Sequence, residues 1–101
     1  MILGAICSRA CRFCDVPTGQ PLPPRLNEPE DVATTLAQLG LKYAVITSVD
    51  RDDLPDGGAG HWAETILKVR EKCSGMKIEA LIPDFGGNAS LIELVCRSAP
   101  D

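Results

Sequence analysis

The chain has 101 residues, of which 45% are apolar and 24% charged, as in an ordinary soluble globular domain. The net charge of −4 at pH 7 gives no electrostatic case for binding nucleic acid or an anionic membrane. No apolar run approaches the roughly 18 residues that predict a membrane span, and the first residues lack the features of a signal or transit peptide. Without such a signal, the five cysteines are expected to be thiols or ligands rather than disulfides, which favours a reducing cytoplasm. A mitochondrial location stays open if residues precede this start.

Short apolar, β-branched runs predict three strands, and their continuity indicates strands covered on both faces. These strands are predicted at residues 1–6, 43–49 and 77–82. Apolar residues at helical spacing predict three helices between and after the strands. The helices are predicted at residues 28–39, about 60–73 and about 88–98. Asn27 and Glu30 indicate a capping box for the first helix, and Gly40 indicates its end.

The alternation of strands and helices predicts a parallel sheet with right-handed crossovers. The fold class is therefore α/β, an incomplete parallel (β/α) barrel of about three βα units. A complete barrel needs about 200 residues or more, and the third strand would present an open edge. We therefore expect residues 1–101 to be the N-terminal part of a larger barrel domain.

The stretch CSRACRFC, residues 7–14, is called here the cysteine loop. It spaces Cys7, Cys11 and Cys14 as C-x3-C-x2-C, directly after the first predicted strand. Ligands of parallel βα folds gather at the carboxyl ends of the strands. Three soft thiolates in one loop favour an iron–sulfur cluster that keeps one iron open to a small molecule.

Other residues of the cysteine loop suit a cluster. Arg9 and Arg12 are expected to offset part of the charge on thiolates and sulfides, and Phe13 to shield the cluster from water. Two other interpretations stay open at this point. A zinc site would need a fourth ligand, and a C-x2-C pair could be redox-active. The candidates for the fourth zinc ligand are Cys73, Cys96 and His61.

Residues of the second and third predicted helices have simpler expected roles. Cys73 and Cys96 follow the buried sides of their helices and are expected to be unligated core thiols. His61 is expected to be a cap or a surface residue, and Trp62 a core residue.

The cysteine loop, placed after the first strand of a βα fold, resembles that of the radical S-adenosylmethionine (SAM) superfamily. Longer runs resemble the lipoyl synthase family within it, and the resemblance covers the whole chain. The runs are CSRACRFCDVPTGQP, LKYAVITSVDRDDLPDGGAGH and IEALIPDFGG. The part TSVDRDDLPDGGAGH is more specific than the cysteine spacing, which many radical enzymes share.

The resemblance implies that Cys7, Cys11 and Cys14 hold a [4Fe–4S] cluster whose open iron binds SAM. Reductive cleavage of SAM then gives a 5′-deoxyadenosyl radical. This radical removes hydrogen from C6 and C8 of an octanoyl group carried by a protein, and two sulfurs are inserted to form the lipoyl cofactor. The implied partners are an octanoylated lipoyl carrier domain or H protein, and an electron donor such as flavodoxin or ferredoxin.

In the family the sulfur comes from a second, auxiliary [4Fe–4S] cluster, held by another cysteine triplet and a serine. The chain has one triplet only. We therefore expect the chain to carry the SAM-cleaving loop and to make no lipoyl group by itself.

The family uses the loop after the second strand to hold the amino group of SAM. An ammonium needs oxygen acceptors, so Thr47, Ser48 and Asp50 are the candidates. Glu79, inside the third strand, is expected to face the barrel interior near SAM, because an unpaired buried carboxylate is costly. Asp84 follows that strand and either contacts SAM or, as we favour, caps the third helix.

The loop after the second strand also has a purely structural interpretation. Arg51 could pair with Asp52 and Asp53, and Asp56 suits the start of the second helix. The rival functions are a small zinc- or thiol-based binding protein and an inactive truncated fragment.

Overall fold

The computed structural model describes residues 1–101, which form three α-helices and two β-strands. The elements, in chain order, are α1 (Glu28–Leu39), β1 (Tyr43–Thr47), α2 (Ala59–Lys72), β2 (Lys77–Leu81) and α3 (Ala89–Arg97). A short 3-10 helix, Phe85–Gly87, precedes α3. All three predicted helices and two of the three predicted strands are confirmed. None of the helices has the length and hydropathy that crossing a membrane requires.

The two strands form a parallel sheet, as the alternation of elements predicts. Tyr43 lies opposite Lys77 and Thr47 opposite Leu81, so the carboxyl ends of β1 and β2 meet at one edge. Helix α2 connects the strands and contacts both α1 and α3. The fold is therefore α/β, with the helices over one face of the sheet.

The core lies between that face and α2. Trp62, Ile66 and Val69 follow one stripe of α2 and are fully buried. Ile46 and Ile78 face them from the two strands and are also buried. Burying each of these large side chains stabilises the fold by roughly 1.5–3 kcal/mol. The predicted apolar stripe of the second helix is thus confirmed as the centre of the core.

The first predicted strand, residues 1–6, is wrong as a strand. Only Ile2 pairs with the sheet: it bridges to Ser48 in parallel, and its N–H donates to the carbonyl of Thr47 at 2.8 Å. The next two residues, Leu3 and Gly4, have φ of +67° and +101°. This left-handed backbone turns the chain away from the sheet, so the ladder ends after one residue.

The helix ends follow the sequence in part. Gly40 has φ of +62° and ends α1 as predicted. The capping box predicted for Asn27 is wrong: Asn27 has helical φ and ψ of −87° and −3°, and its side chain makes no capping bond. A side-chain cap needs an extended residue at that position. Asn88 has that conformation before α3 and caps the N–H of Ser90 at 3.0 Å.

Candidate functional site

The cysteine loop starts beside the carboxyl end of β1. Cys7 bridges to Thr18, and the N–H of Cys7 donates to the carbonyl of Pro17 at 2.9 Å. The N–H of Ser8 donates to the carbonyl of Asp50 at 3.0 Å. We call residues 48–58, between β1 and α2, the second loop. These contacts fix the start of the cysteine loop between the proline-rich segment and the second loop.

The thiol of Cys7 is buried, with 8% of the residue exposed. Its Sγ accepts hydrogen bonds from the backbone N–H of Arg9 at 3.4 Å and of Asp50 at 3.3 Å. It also donates to Oδ2 of Asp50 at 3.8 Å. Hydrogen bonds of this kind to sulfur are also found around the cysteine ligands of iron–sulfur clusters.

The other two cysteines of the loop are exposed. The N–H of Cys14 donates to the carbonyl of Cys11 at 3.1 Å, which closes a turn. Phe13 between them is 94% exposed. No three His, Cys, Asp or Glu side chains are grouped closely enough to hold a metal ion in this conformation.

The donor chemistry of the loop nevertheless fits an iron–sulfur cluster. All five cysteines of the chain are free thiols. Cys7 already receives backbone N–H groups, as cluster thiolates do. Cys11 and Cys14 face solvent, so their side chains can rotate without breaking packed contacts. The cluster ligands stay a prediction at the level of individual residues.

Arg9 contacts carboxylates rather than the thiols whose charge it was expected to offset. Its Nε and Nη2 donate to Asp52 at 2.8 and 2.7 Å, and its Nη1 and Nη2 donate to Asp84, both at 2.9 Å. Its Nη1 also lies 3.6 Å from Oδ1 of Asp50. Arg12, two positions before Cys14, is exposed, and its side chain makes no hydrogen bond within the chain.

These ion pairs shift the acidity of their partners. The hydrogen bond from Arg9, followed by that from the N–H of Gly86, lowers the pKa of Asp84 to about 2. Hydrogen bonds from Arg9 and then from Ser8 lower the pKa of Asp52 below its ordinary value. Both carboxylates are therefore ionised at neutral pH, which keeps the contacts with the guanidinium charge-assisted.

The residues predicted to hold the amino group of SAM lie at the carboxyl end of β1. Thr47 is the last residue of the strand and is half-buried. The hydroxyl of Ser48 accepts a hydrogen bond from Nε1 of Trp62 at 3.0 Å. Asp50 contacts the Cys7 thiol. All three are near the start of the cysteine loop, and their contact with SAM stays a prediction.

Glu79 and Asp84 lie on and after β2. Glu79 is exposed on the sheet face that the helices leave uncovered, opposite Val45, and accepts a hydrogen bond from the hydroxyl of Tyr43. The role of Asp84 as a cap of the third helix is wrong, because Asn88 caps α3. Asp84 instead caps the 3-10 helix through the N–H of Gly86.

Three further expectations need correction or refinement. His61 is neither a cap nor a surface residue: its Nε2 pairs with Glu28 at 2.7 Å, and its side chain is 12% exposed. Cys96 is exposed rather than buried, because its position on α3 lies outside the packed side. Cys73 is half-buried, packs against the core and contacts the carbonyl of Ala33 at 3.7 Å.

The sequence alone does not predict the role of Arg51, which is buried with 2% of the residue exposed. The expected pair with Asp53 is present at 2.8 Å, but Asp52 pairs with Arg9 instead. Arg51 also donates to the carbonyls of Leu3 and Leu22, both at 3.0 Å. Its guanidinium thus fixes the N-terminal segment and the proline-rich loop behind Cys7.

The second loop ends in the predicted structural turn. The carboxylate of Asp56 accepts the N–H groups of Gly58 and Gly60, both at 2.9 Å, at the start of α2. Gly58 has φ of +88°, and a Cβ there would lie 2.7 Å from Cδ1 of Leu3. Only glycine allows this backbone and this approach.

Comparison with known proteins gives one consistent picture. The model of the radical SAM superfamily matches residues 1–100. The chain is 54% identical over 102 residues to a lipoyl synthase of Cronobacter sakazakii. The aligned region covers 100% of the chain and 32% of that protein. A lipoyl synthase of Serratia proteamaculans is 55% identical, with the same coverage. A lipoyl synthase of Porphyromonas gingivalis is 52% identical, with 36% of that protein covered. The chain thus spans about a third of the length of these curated relatives.

Proposed function

Because the chain belongs to the radical SAM superfamily, we propose that it carries the cluster- and SAM-binding part of a lipoyl synthase. The proposed overall reaction is the insertion of two sulfurs at C6 and C8 of a protein-bound octanoyl group. The observation that carries this proposal is the geometry around Cys7. The first thiol of a C-x3-C-x2-C loop lies at the carboxyl end of a parallel strand and receives two backbone N–H groups.

Cys7, Cys11 and Cys14 would hold one [4Fe–4S] cluster and leave one iron open to SAM. When bound, the cluster and SAM supply the one-electron chemistry needed to attack an unactivated carbon. The chain supplies ligands, positions them and accepts hydrogen bonds from the cofactor. Cys7 is the ligand whose position the protein already fixes.

Among the candidates for the amino group of SAM, we favour Asp50. Its carboxylate is 24% exposed and contacts the Cys7 thiol, so it lies beside the proposed cluster and open to a ligand. The hydroxyl oxygen of Ser48 already accepts a hydrogen bond from Trp62, which leaves it one lone pair for an ammonium. Thr47 and Glu79 are weaker candidates, and Asp84 is already bound to Arg9.

The sheet is proposed to be part of a partial parallel (β/α) barrel, in which residues 1–101 are the N-terminal part of the radical SAM domain. The uncovered sheet face supports this proposal. Tyr43, Val45 and Leu81 are 52%, 50% and 53% exposed there, on the side away from the helices. In a barrel this face would point to the interior, and Glu79 would lie among these apolar side chains.

The proposed partners are an octanoylated lipoyl carrier domain or H protein and a reductant such as flavodoxin or ferredoxin, and the proposed location is the cytoplasm. The partners rest on the similarity to lipoyl synthases, and the location rests on the five free cysteines, which favour a reducing compartment. We assign no residue of the chain to the auxiliary [4Fe–4S] cluster. Cys73 directly follows α2 and packs against the core, whereas Cys96 lies on α3.

Anaerobic reconstitution with iron and sulfide tests the proposal. We expect about four irons and four sulfides per chain, because the cluster is a cubane. Cys7→Ala, Cys11→Ala and Cys14→Ala should each lower the iron content strongly. The matched control is Cys96→Ala, which removes an exposed thiol outside the cysteine loop and should keep the full cluster.

Two results would contradict the assignment. One is iron retention in all three loop variants. The other is a preference for a single zinc ion with four protein ligands, which would favour the small zinc-binding protein.

A further inference from the structure

One side chain of the cysteine loop contacts both loops that follow the strands. The guanidinium of Arg9 binds Asp52 of the second loop through Nε and Nη2. It also binds Asp84 through Nη1 and Nη2. Asp84 lies in the loop after β2, just before the 3-10 helix. Asp50 completes the set at 3.6 Å. Three segments that are distant in sequence therefore meet at one cation.

The contact pattern requires arginine. Two edges of the planar guanidinium are each occupied by a carboxylate in a two-point contact, and such pairs fix orientation as well as distance. A lysine ammonium is a point charge and cannot match both carboxylates in this way. Without a cation here, the charges of Asp52 and Asp84 would repel each other.

The backbone of Arg9 is part of the same arrangement. Its N–H donates to Sγ of Cys7, while its side chain is held by the carboxylates. Ser8, next to it, donates to Asp52 at 2.8 Å and accepts the N–H of Asp52 at 3.0 Å. A shift of the guanidinium would therefore move the N–H group that is directed at the first thiol.

We propose that Arg9 is a positioning residue, which holds the cysteine loop against the loops after β1 and β2 and so places Cys7 for ligand binding. The contacts of Arg9 do not depend on any cofactor, whereas the consequence for a cluster rests on the proposed function. Arg9 acts through Cys7, because its guanidinium bonds carboxylates and not the thiol.

We call the contacts of Arg9 with Asp52 and Asp84 the tether. Hydrogen–deuterium exchange of the metal-free protein tests the tether without any cofactor. In Arg9→Gln we expect the amides of Ser8 and Asp52 to exchange about tenfold faster, because the bonds that hold the two loops together are lost. Arg12→Gln is the matched control: it removes the same charge from the same loop but no contact, and should leave this exchange unchanged. Arg9→Lys should lie between the two.

One further readout and one further variant guard against a loss of folding. Protected amides of α2 should exchange at the same rate in all variants, which shows that the fold is intact. If Arg9→Gln unfolds the chain, Asp84→Asn removes one half of the tether at an exposed residue and should still raise the exchange of the cysteine loop. Equal exchange in the wild type, Arg9→Gln and Asp84→Asn would overturn the proposal.

Reconstitution then separates this inference from the proposed function. We expect Arg9→Gln to bind less iron and to show altered g-values in the electron paramagnetic resonance spectrum, while Arg25→Gln, at an exposed arginine outside the cysteine loop, resembles the wild type. A wild type that forms no cluster would contradict the proposed function and leave the tether to be judged by exchange. A wild type and Arg9→Gln with identical clusters would contradict the positioning role alone.

Discussion

The two ends of the cysteine loop differ in how far the chain itself fixes them. At the Cys7 end the thiol is buried and hydrogen-bonded, and Arg9 binds three carboxylates. At the other end Cys11 and Cys14 are exposed, and Arg12 has no partner. The fold therefore positions one of the three proposed ligands in advance. We expect the other two to become ordered with the metal, since metal binding and local folding are coupled.

Of the variants that separate the two ends of the cysteine loop, the one that removes the support behind the Cys7 end should have the largest effect on stability. Arg51→Met deprives the carbonyls of Leu3 and Leu22 of their donor and leaves Asp53 unpaired. We expect the free energy of unfolding to fall by about 3 kcal/mol, because a buried ion pair loses one partner. Urea unfolding followed by the fluorescence of Trp62 measures it.

The control for Arg51 is an exposed arginine. Arg25 pairs only with Asp31, and 71% of its side chain is exposed. Arg25→Met should therefore cost less than about 1 kcal/mol. Equal losses in the two variants would show that the N-terminal segment is not held by the buried guanidinium.

Thiol reactivity compares the two ends directly. In the metal-free native protein, iodoacetamide should modify Cys11 and Cys14 at least about tenfold faster than Cys7, because buried thiols are inert. Peptide mass spectrometry after timed quenching resolves the sites. In urea the rates should converge. Equal rates under native conditions would contradict the difference in exposure between the two ends of the cysteine loop.

Acid should release the contact between Arg9 and Asp84. The pKa of Asp84 is lowered to about 2 from an ordinary value of 3.8, so the stabilisation it provides is complete above that ordinary value. It should be lost as the pH falls from about 4 to about 2. Carboxyl-carbon NMR titration checks this. Arg9→Gln should move the titration of Asp84 upwards, and Arg12→Gln should not; a titration that both variants leave unchanged would argue against the ion pair.

The smallest effect belongs to the exposed end. Phe13 is 94% exposed, so Phe13→Ala should change the free energy of unfolding of the metal-free protein by less than about 0.5 kcal/mol. Phe85→Ala, at a residue that is 7% exposed, should cost about 3 kcal/mol or more. A large loss from Phe13→Ala would mean that this end is packed in solution.

The elements were predictable where local pattern decides the structure. The stripe of Trp62, Ile66 and Val69 predicts α2, because helical periodicity is written in neighbouring residues. The prediction of a strand at residues 1–6 was wrong because the backbone conformation of Leu3 depends on partners that are distant in the sequence. Its N–H bonds to Glu28 and its carbonyl to Arg51, and no local pattern encodes either contact.

The candidate site divides in the same way. The spacing of the cysteines and their place after an apolar run could be found from the sequence, and so could the acidic character of the second loop. The pairing of Arg9 with Asp84 could not, because the residues are 75 positions apart and many other carboxylates were available. An arginine inside a cysteine loop, with acidic residues after both strands, is the signal that could have suggested it.

The most direct test is the electron paramagnetic resonance spectrum of the reduced, iron-loaded protein, recorded with and without SAM. The account predicts a [4Fe–4S] signal whose g-values change when SAM is added, because SAM would bind the iron that the three cysteines would leave open. Identical spectra in the two samples would contradict it.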